Sequence, residues 1–122
     1  MVKVMKKSAH RPGAFTDADL DVYRDAWSNI DEMRAGINYY RENKNALFKH
    51  YRLYKENKVK CPTCIVWADK DLALSVALTK GMDQWCEIPP EVHILPNCGH
   101  WIAQEAPDEL YTIIMNFCSA SK

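Results

Sequence analysis

The stretch that most constrains the fold is Thr63-Cys64-Ile65-Val66-Trp67-Ala68, apolar almost throughout, with Pro62 before it and Asp69-Lys70-Asp71 after it. Its side chains do not alternate between apolar and polar. A strand built from it has no polar face to give to water, so it suits a parallel sheet covered on both sides. A second short strand is predicted at Val92-His93-Ile94-Leu95. Between the two, Leu74, Leu78, Met82 and Trp85 recur at helical spacing, which predicts a helix from Leu74 to Trp85 stopped by Pro89-Pro90. Strand, helix, strand in this order implies a right-handed parallel crossover. Pro96-Asn97-Cys98-Gly99 has the composition of a tight turn. Pro107, Asp108 and Glu109 suit the first turn of a last helix, with Leu110, Ile113, Ile114 and Phe117 as its apolar face.

Upstream, residues 1–15 read as an irregular leader broken at Pro12-Gly13. Thr16 reads as a helix N-cap, with Asp19 where a capping box places Glu. Leu20, Tyr23 and Trp27 continue at helical spacing, and Ser28-Asn29 breaks the helix. A second helix is expected from near Asp31, with Met33, Ile37 and Tyr40 on one stripe, running or re-forming through Leu47, Tyr51 and Tyr54. Lys44, Lys49, Arg52, Lys55 and Lys58 give it a basic face, of the kind that is usually solvated. The chain therefore divides into 1–15, a helical part 16–58, and a β-α-β-α part 59–122, an α/β class. Two parallel strands do not make a stable sheet alone. The pair is expected either to form a minimal, marginal domain or to be one end of a larger sheet, with a bare edge at 63–68 open to self-association.

Composition narrows the function. Lys+Arg and Asp+Glu both number 16, which argues against a nucleic-acid binder held by bulk positive charge. No apolar stretch approaches the roughly 20 residues that span a bilayer. Met1 to Lys7 has charge but no apolar core, so it is not a secretory signal. Five cysteines make an odd count, and with no export signal the expected state is reduced thiols in a cytoplasmic setting. The four scattered glycines build no phosphate-cradling loop.

Cys61-Pro62-Thr63-Cys64 is a Cys-x-x-Cys, but it opens a strand, whereas a redox-active pair follows a strand and opens a helix. A zinc site could be drawn from Cys61, Cys64, Cys98 and either His93 or His100, without the regular spacing of a zinc ribbon. Neither is favoured. The strongest constellation is the pair of strand ends, Trp67-Ala68-Asp69-Lys70-Asp71 and Asn97-Cys98-Gly99-His100-Trp101. Ligands of open parallel sheets gather outside the carboxyl ends of the strands. Adjacent parallel strands would set a carboxylate and an imidazole on one rim, where the acid can fix the tautomer of the base. On spacing alone, Asp71 serves equally well as the cap of the next helix and His100 as a turn residue. Asp69 is a second candidate for the acid.

With these residues in place, the chain resembles the C-terminal part of the α/β-hydrolase superfamily, closest to epoxide hydrolases and their haloalkane-dehalogenase relatives. The family's Pro-Thr, apolar run, Trp-Gly, Glu, any residue, Asp is matched by Pro62 to Asp71, with Ala68 for Gly and Asp69 for Glu. Its Gly-His-Trp is Gly99-His100-Trp101, and Gln104, Glu105, Pro107 and Glu109 continue the match. Asn38-Tyr39-Tyr40-Arg41 is similar to the family's segment after the cap. The likeness covers about residues 12–118.

The resemblance implies a partial α/β-hydrolase fold, in which a remnant of the helical cap precedes the last two parallel strands. It implies Asp71 as the acid and His100 as the base of a catalytic triad, and Tyr40 as a hydroxyl that binds the epoxide oxygen. In that mechanism an aspartate attacks an epoxide carbon, tyrosines stabilise the alkoxide, and the His–Asp pair activates water against the ester. The implied partner is a small-molecule epoxide, with no metal, no organic cofactor and no nucleic acid. The 122 residues contain no Gly-x-Asp-x-Gly, Gly-x-Ser-x-Gly or His-Gly-x-Pro. The expectation is therefore a C-terminal fragment with two of three triad members, inactive alone. Dehalogenation, which uses the same aspartyl ester, and a non-catalytic remnant are the alternatives.

Overall fold

The computed structural model describes residues 2–120, with side chains described outside 44–56. The element order is α1 (Val2–Ser8), α2 (Asp17–Ala26), α3 (Ile30–Glu56), β1 (Cys64–Ala68), β2 (Glu91–Leu95), α4 (Ile102–Glu105) and α5 (Pro107–Ala120). The architecture is α/β, and β1 and β2 pair in parallel with Cys64 opposite Glu91 and Ala68 opposite Leu95.

Two helix boundaries follow local chemistry. Thr16 and Asp19 form a reciprocal capping box at the start of α2, each side chain accepting from the other's backbone N–H. Trp27 ends α2, and the Asn29 side chain accepts from the Asp31 N–H to start α3. The helix break predicted at Ser28-Asn29 is thus built from two caps. Tyr51 and Tyr54 and the basic residues Lys44, Lys49, Arg52 and Lys55 lie outside the described side chains.

The leader differs from its expected irregular form. Residues 2–8 are helical, and Met5 on that helix is buried against Phe15 and Leu20, with Tyr23, Trp27 and Trp101 packed around them. Met5 is the apolar anchor that makes a helix of a charged heptapeptide; one such residue leaves little periodicity to read.

The helix expected from Leu74 to Trp85 is replaced by two short 3₁₀ turns, Val76–Thr79 and Met82–Trp85. Between them Gly81 sits at φ 76°, a left-handed conformation that interrupts any continuous helix. Leu74 and Leu78 stay 42 % and 52 % exposed, so half of the stripe is left to water. With so little of it packed, a short amphipathic helix gains too little to propagate.

A second core joins the sheet to α4 and α5: Ala68, Leu95, Cys98 and Ala106 are buried, with Val66, Ile102 and Ile113 against them. The strands are only partly covered, Cys64 to Trp67 being half-buried. No helix among the described residues is long and apolar enough to cross a membrane.

Candidate active site at the strand ends

The parallel register does not stop where the strands do. The Asp69 N–H donates to Leu95 O at 3.1 Å, and the Lys70 N–H to Cys98 O at 2.9 Å. Asn97 takes φ 52°, turning the second chain sharply after Pro96. These contacts carry the two loops side by side off the sheet, so the third residue of one faces the fifth residue of the other. The result is that His100 Nδ1 lies 3.1 and 3.0 Å from the two oxygens of Asp71. The expected convergence of Asp71 and His100 is present.

Asp71 makes both sets of contacts that its position suggested. Its Oδ1 accepts from the N–H groups of Ala73 (2.8 Å) and Leu74 (3.0 Å), and the same carboxylate faces the imidazole. Capping the 72–74 turn holds the carboxylate still beside the ring, with Oδ1 shared between the cap and the imidazole. Burial pushes the Asp71 carboxyl up, but the hydrogen bonds from His100, Leu74 and Ala73 outweigh it and leave the group below the usual carboxylate range. The acid is therefore an anion at neutral pH. A carboxylate only accepts, so Nδ1, the ring nitrogen that faces it, is the one that donates. The Asp71 side chain is 9 % exposed and that of His100 39 %, so the imidazole reaches outward from a sheltered carboxylate.

Asp69 has a different task. Its Oδ1 accepts from the Cys98 N–H at 3.3 Å, and its other oxygen lies 3.2 Å from Lys70 Nζ. It braces the loop that carries His100 and does not meet the ring.

A cavity of about 180 Å³ opens beside the pair, walled by Val66, Trp67, Leu74 and Ile102. The Trp67 indole N–H donates to Leu74 O at 3.1 Å, fixing one wall across the loop. Apolar walls around one carboxylate–imidazole pair suit a small, largely apolar molecule. Tyr40 is not among the cavity's lining residues. It is 72 % exposed on α3 and packs edge-on against Tyr39 at 5.5 Å.

The His100 loop is held from behind. Glu105, only 5 % exposed, closes α4 and accepts from the N–H groups of Gly99 (2.9 Å), Trp101 (3.2 Å), His10 (2.9 Å) and Arg11 (2.8 Å). Burial pushes this carboxyl up, but the four backbone donors reverse the effect and hold it below the usual range. A Cβ on Gly99 would sit 2.7 Å from Glu105 Oε1 and 3.1 Å from the His10 backbone N, so only glycine permits this approach. Arg11 adds two bonds to Glu109, both 2.8 Å, and reaches the carbonyls of Pro96, Asn97 and Glu105. The motif match marked Glu105 and Glu109; nothing local in the sequence pointed to their partners 94 to 98 residues away.

Among the described residues no group of three or more His, Cys, Asp or Glu side chains is placed to hold a metal ion. All five cysteines are free, Cys86 and Cys98 buried and Cys61 exposed.

No protein-family model matches the chain. Among curated proteins, Epoxide hydrolase 3 of Xenopus tropicalis is 35 % identical over 81 residues, covering 66 % of this chain and 21 % of that protein. Epoxide hydrolase 3 of Mus musculus is 32 % identical over 108 residues, 87 % of this chain and 28 % of that protein. The solved structure of wild-type Cfl2 from Burkholderia cenocepacia superposes with a TM-score of 0.81 at 25 % identity, covering 95 % of this chain and 39 % of that one. The chain thus spans less than a third of the length of either of these curated relatives.

Proposed function

Because this chain belongs to the α/β-hydrolase superfamily and has part of its fold, we propose that it supplies the acid–base part of an epoxide-hydrolase-type site. The observation that carries this is the 3.0 Å contact between His100 Nδ1 and the Asp71 carboxylate, beside an apolar cavity. Two curated relatives that bear the name epoxide hydrolase 3 direct the choice of substrate.

The reaction is epoxide plus water to vicinal diol. An aspartate opens the epoxide and forms an ester, a step for which these residues offer no Gly-x-Asp-x-Gly. The second step falls to the groups present. His100 Nε2 takes a proton from water as the water attacks the ester carbonyl, and Asp71 stabilises the imidazolium that results. The ester C–O bond then breaks, the imidazolium returns that proton to the departing alkoxide, and the diol leaves with the aspartate regenerated as a carboxylate. Tyr40 is assigned to the epoxide oxygen by its motif alone, and takes that role only where α3 is brought over the cavity. The 122 residues alone are proposed to be inactive, and 16–58 and 59–122 to be the cap remnant and the core end.

The test is a graft. Residues 10–120 replace the matching stretch of mouse Epoxide hydrolase 3, and conversion of an aryl epoxide to diol is followed. The isolated chain is expected to give background only and the graft to give diol. Diol from the isolated chain, or a folded graft that cleaves a haloalkane and leaves the epoxide untouched, overturns the reading.

A further inference from the structure

Glu105 touches neither the cavity nor the imidazole, yet it is the most heavily bonded buried carboxylate described. Two of its four donors, Gly99 and Trp101, are the residues on either side of His100. The other two, His10 and Arg11, belong to the segment that follows α1. A carboxylate has about four acceptor positions, so this one is saturated. Each donor is a backbone N–H, whose direction is set by the chain itself and not by a flexible side chain.

We propose that Glu105 is a positioning residue for His100: it clamps the backbone N–H groups of the residues on either side of the base, Gly99 and Trp101, and ties them to the segment His10–Arg11, so that docking of that segment sets where the imidazole points. The inference rests on the reading of Asp71 and His100 as an acid–base pair. It goes beyond that reading by naming what aims the base and by giving the N-terminal segment a part in the site.

Three observations converge. Gly99 approaches Glu105 so closely that a Cβ would lie 2.7 Å from its oxygen, so the loop is built around this carboxylate. The His100 ring stands edge-on to Trp101 at 5.2 Å, and the Trp101 indole N–H donates to Ser8 Oγ at 2.8 Å. The imidazole therefore leans on a residue that is itself pinned to α1. Finally, Arg11 grips the carbonyls of Pro96 and Asn97, at the start of the same loop. Loop entry, both flanks of the base and the ring's neighbour are all held from residues 8–11.

The Glu-to-Gln change keeps the size of residue 105 but turns one arm of the clamp into a donor that faces other donors. The measurement is a ¹⁵N-edited spectrum of the 122-residue chain, reading the His100 Nδ1–H resonance, with circular dichroism alongside. In the unaltered chain a downfield, slowly exchanging Nδ1–H is expected, and Asp71→Asn should remove it. In Glu105→Gln, with helical dichroism kept, the resonance is expected to vanish or fall at least tenfold in intensity. Glu109→Gln, which loosens Arg11 but leaves the clamp, should retain it.

No Nδ1–H signal in the unaltered chain would defeat the acid–base pair itself. A signal present there and unchanged in folded Glu105→Gln would defeat the clamp alone. If Glu105→Gln unfolds, Glu105→Asp decides, because its shorter carboxylate cannot reach both arms together. Loss of the resonance with helices intact supports the clamp, while an unchanged resonance or a second unfolded variant overturns it, since a residue holding the whole fold is not aiming one ring.

Discussion

Asp71 is proposed to combine two roles, turn cap and acid partner of His100, that are often divided between residues. Its bonds to the Ala73 and Leu74 N–H groups would make it an ordinary turn cap if His100 were elsewhere. The imidazole at 3.0 Å changes what that rigidity is for, because a capped acid cannot swing away from the base. Loss of the acid leaves the ring free to adopt the wrong tautomer. In the graft, Asp71→Asn is therefore expected to lower the kcat of diol formation by on the order of 10⁴-fold and to lower KM with it, because the ester accumulates. Progress curves at saturating and limiting epoxide check this.

Acid sensitivity follows from the same groups. Asp71 and Glu105 sit below their ordinary values of 3.8 and 4.5. A carboxyl depressed in the folded state contributes stability that is present above its unfolded pKa and lost as pH falls through its folded pKa. Thermal melting is expected to be insensitive to these two groups above about pH 5 and to weaken below it. Glu105→Gln should flatten that acid limb, and an unchanged limb would contradict the account.

At the scale of elements, the parts legible from sequence are those whose information is local. Thr16 and Asp19 cap α2 because a hydroxyl and a carboxylate three residues apart can satisfy each other's N–H groups wherever they occur. The run Cys64–Ala68 became β1, and the loops after both strands brought Asp71 to His100, because parallel register fixes which residues share a rim. The parts that were not legible depend on distant partners. The helix α1 exists because Met5 buries against Phe15 and Leu20. The stripe from Leu74 to Trp85 stayed in 3₁₀ turns because Leu74 and Leu78 are left exposed and Gly81 interrupts it. The Glu105 clamp joins residues whose partnership has no sequence period.

The small aromatic core around α1 and α2 gives a further expectation. Leu20 is 1 % exposed between Met5 and Phe15. Leu20→Ala should cost about 2–5 kcal/mol, a large share of the roughly 5–15 kcal/mol that a domain has to spare. A denaturant melt showing less than about 0.5 kcal/mol of change would mean that this cluster does not hold the N-terminal helices in place.

The molecule as a whole has a two-stranded parallel sheet, and among the described residues neither strand has a second neighbour. Val92 and Ile94 on β2 are 41 % and 40 % exposed. Open N–H and C=O groups beside apolar side chains are a template for another strand. The purified chain is expected to self-associate with rising concentration, read by sedimentation velocity. A monomer that persists across the range and melts sharply would show that the helices already satisfy the sheet.

Asp71 and His100 are proposed to hydrolyse a covalent ester that, in the graft, forms on an aspartate of the host protein. This role is tested most directly by the intact mass of the graft carrying His100→Gln after exposure to an aryl epoxide. Attack on the epoxide does not need His100, whereas hydrolysis of the ester does. A stable adduct heavier by one epoxide molecule is expected, with diol formation down by about 10²–10⁴-fold. Full turnover with no adduct would contradict it.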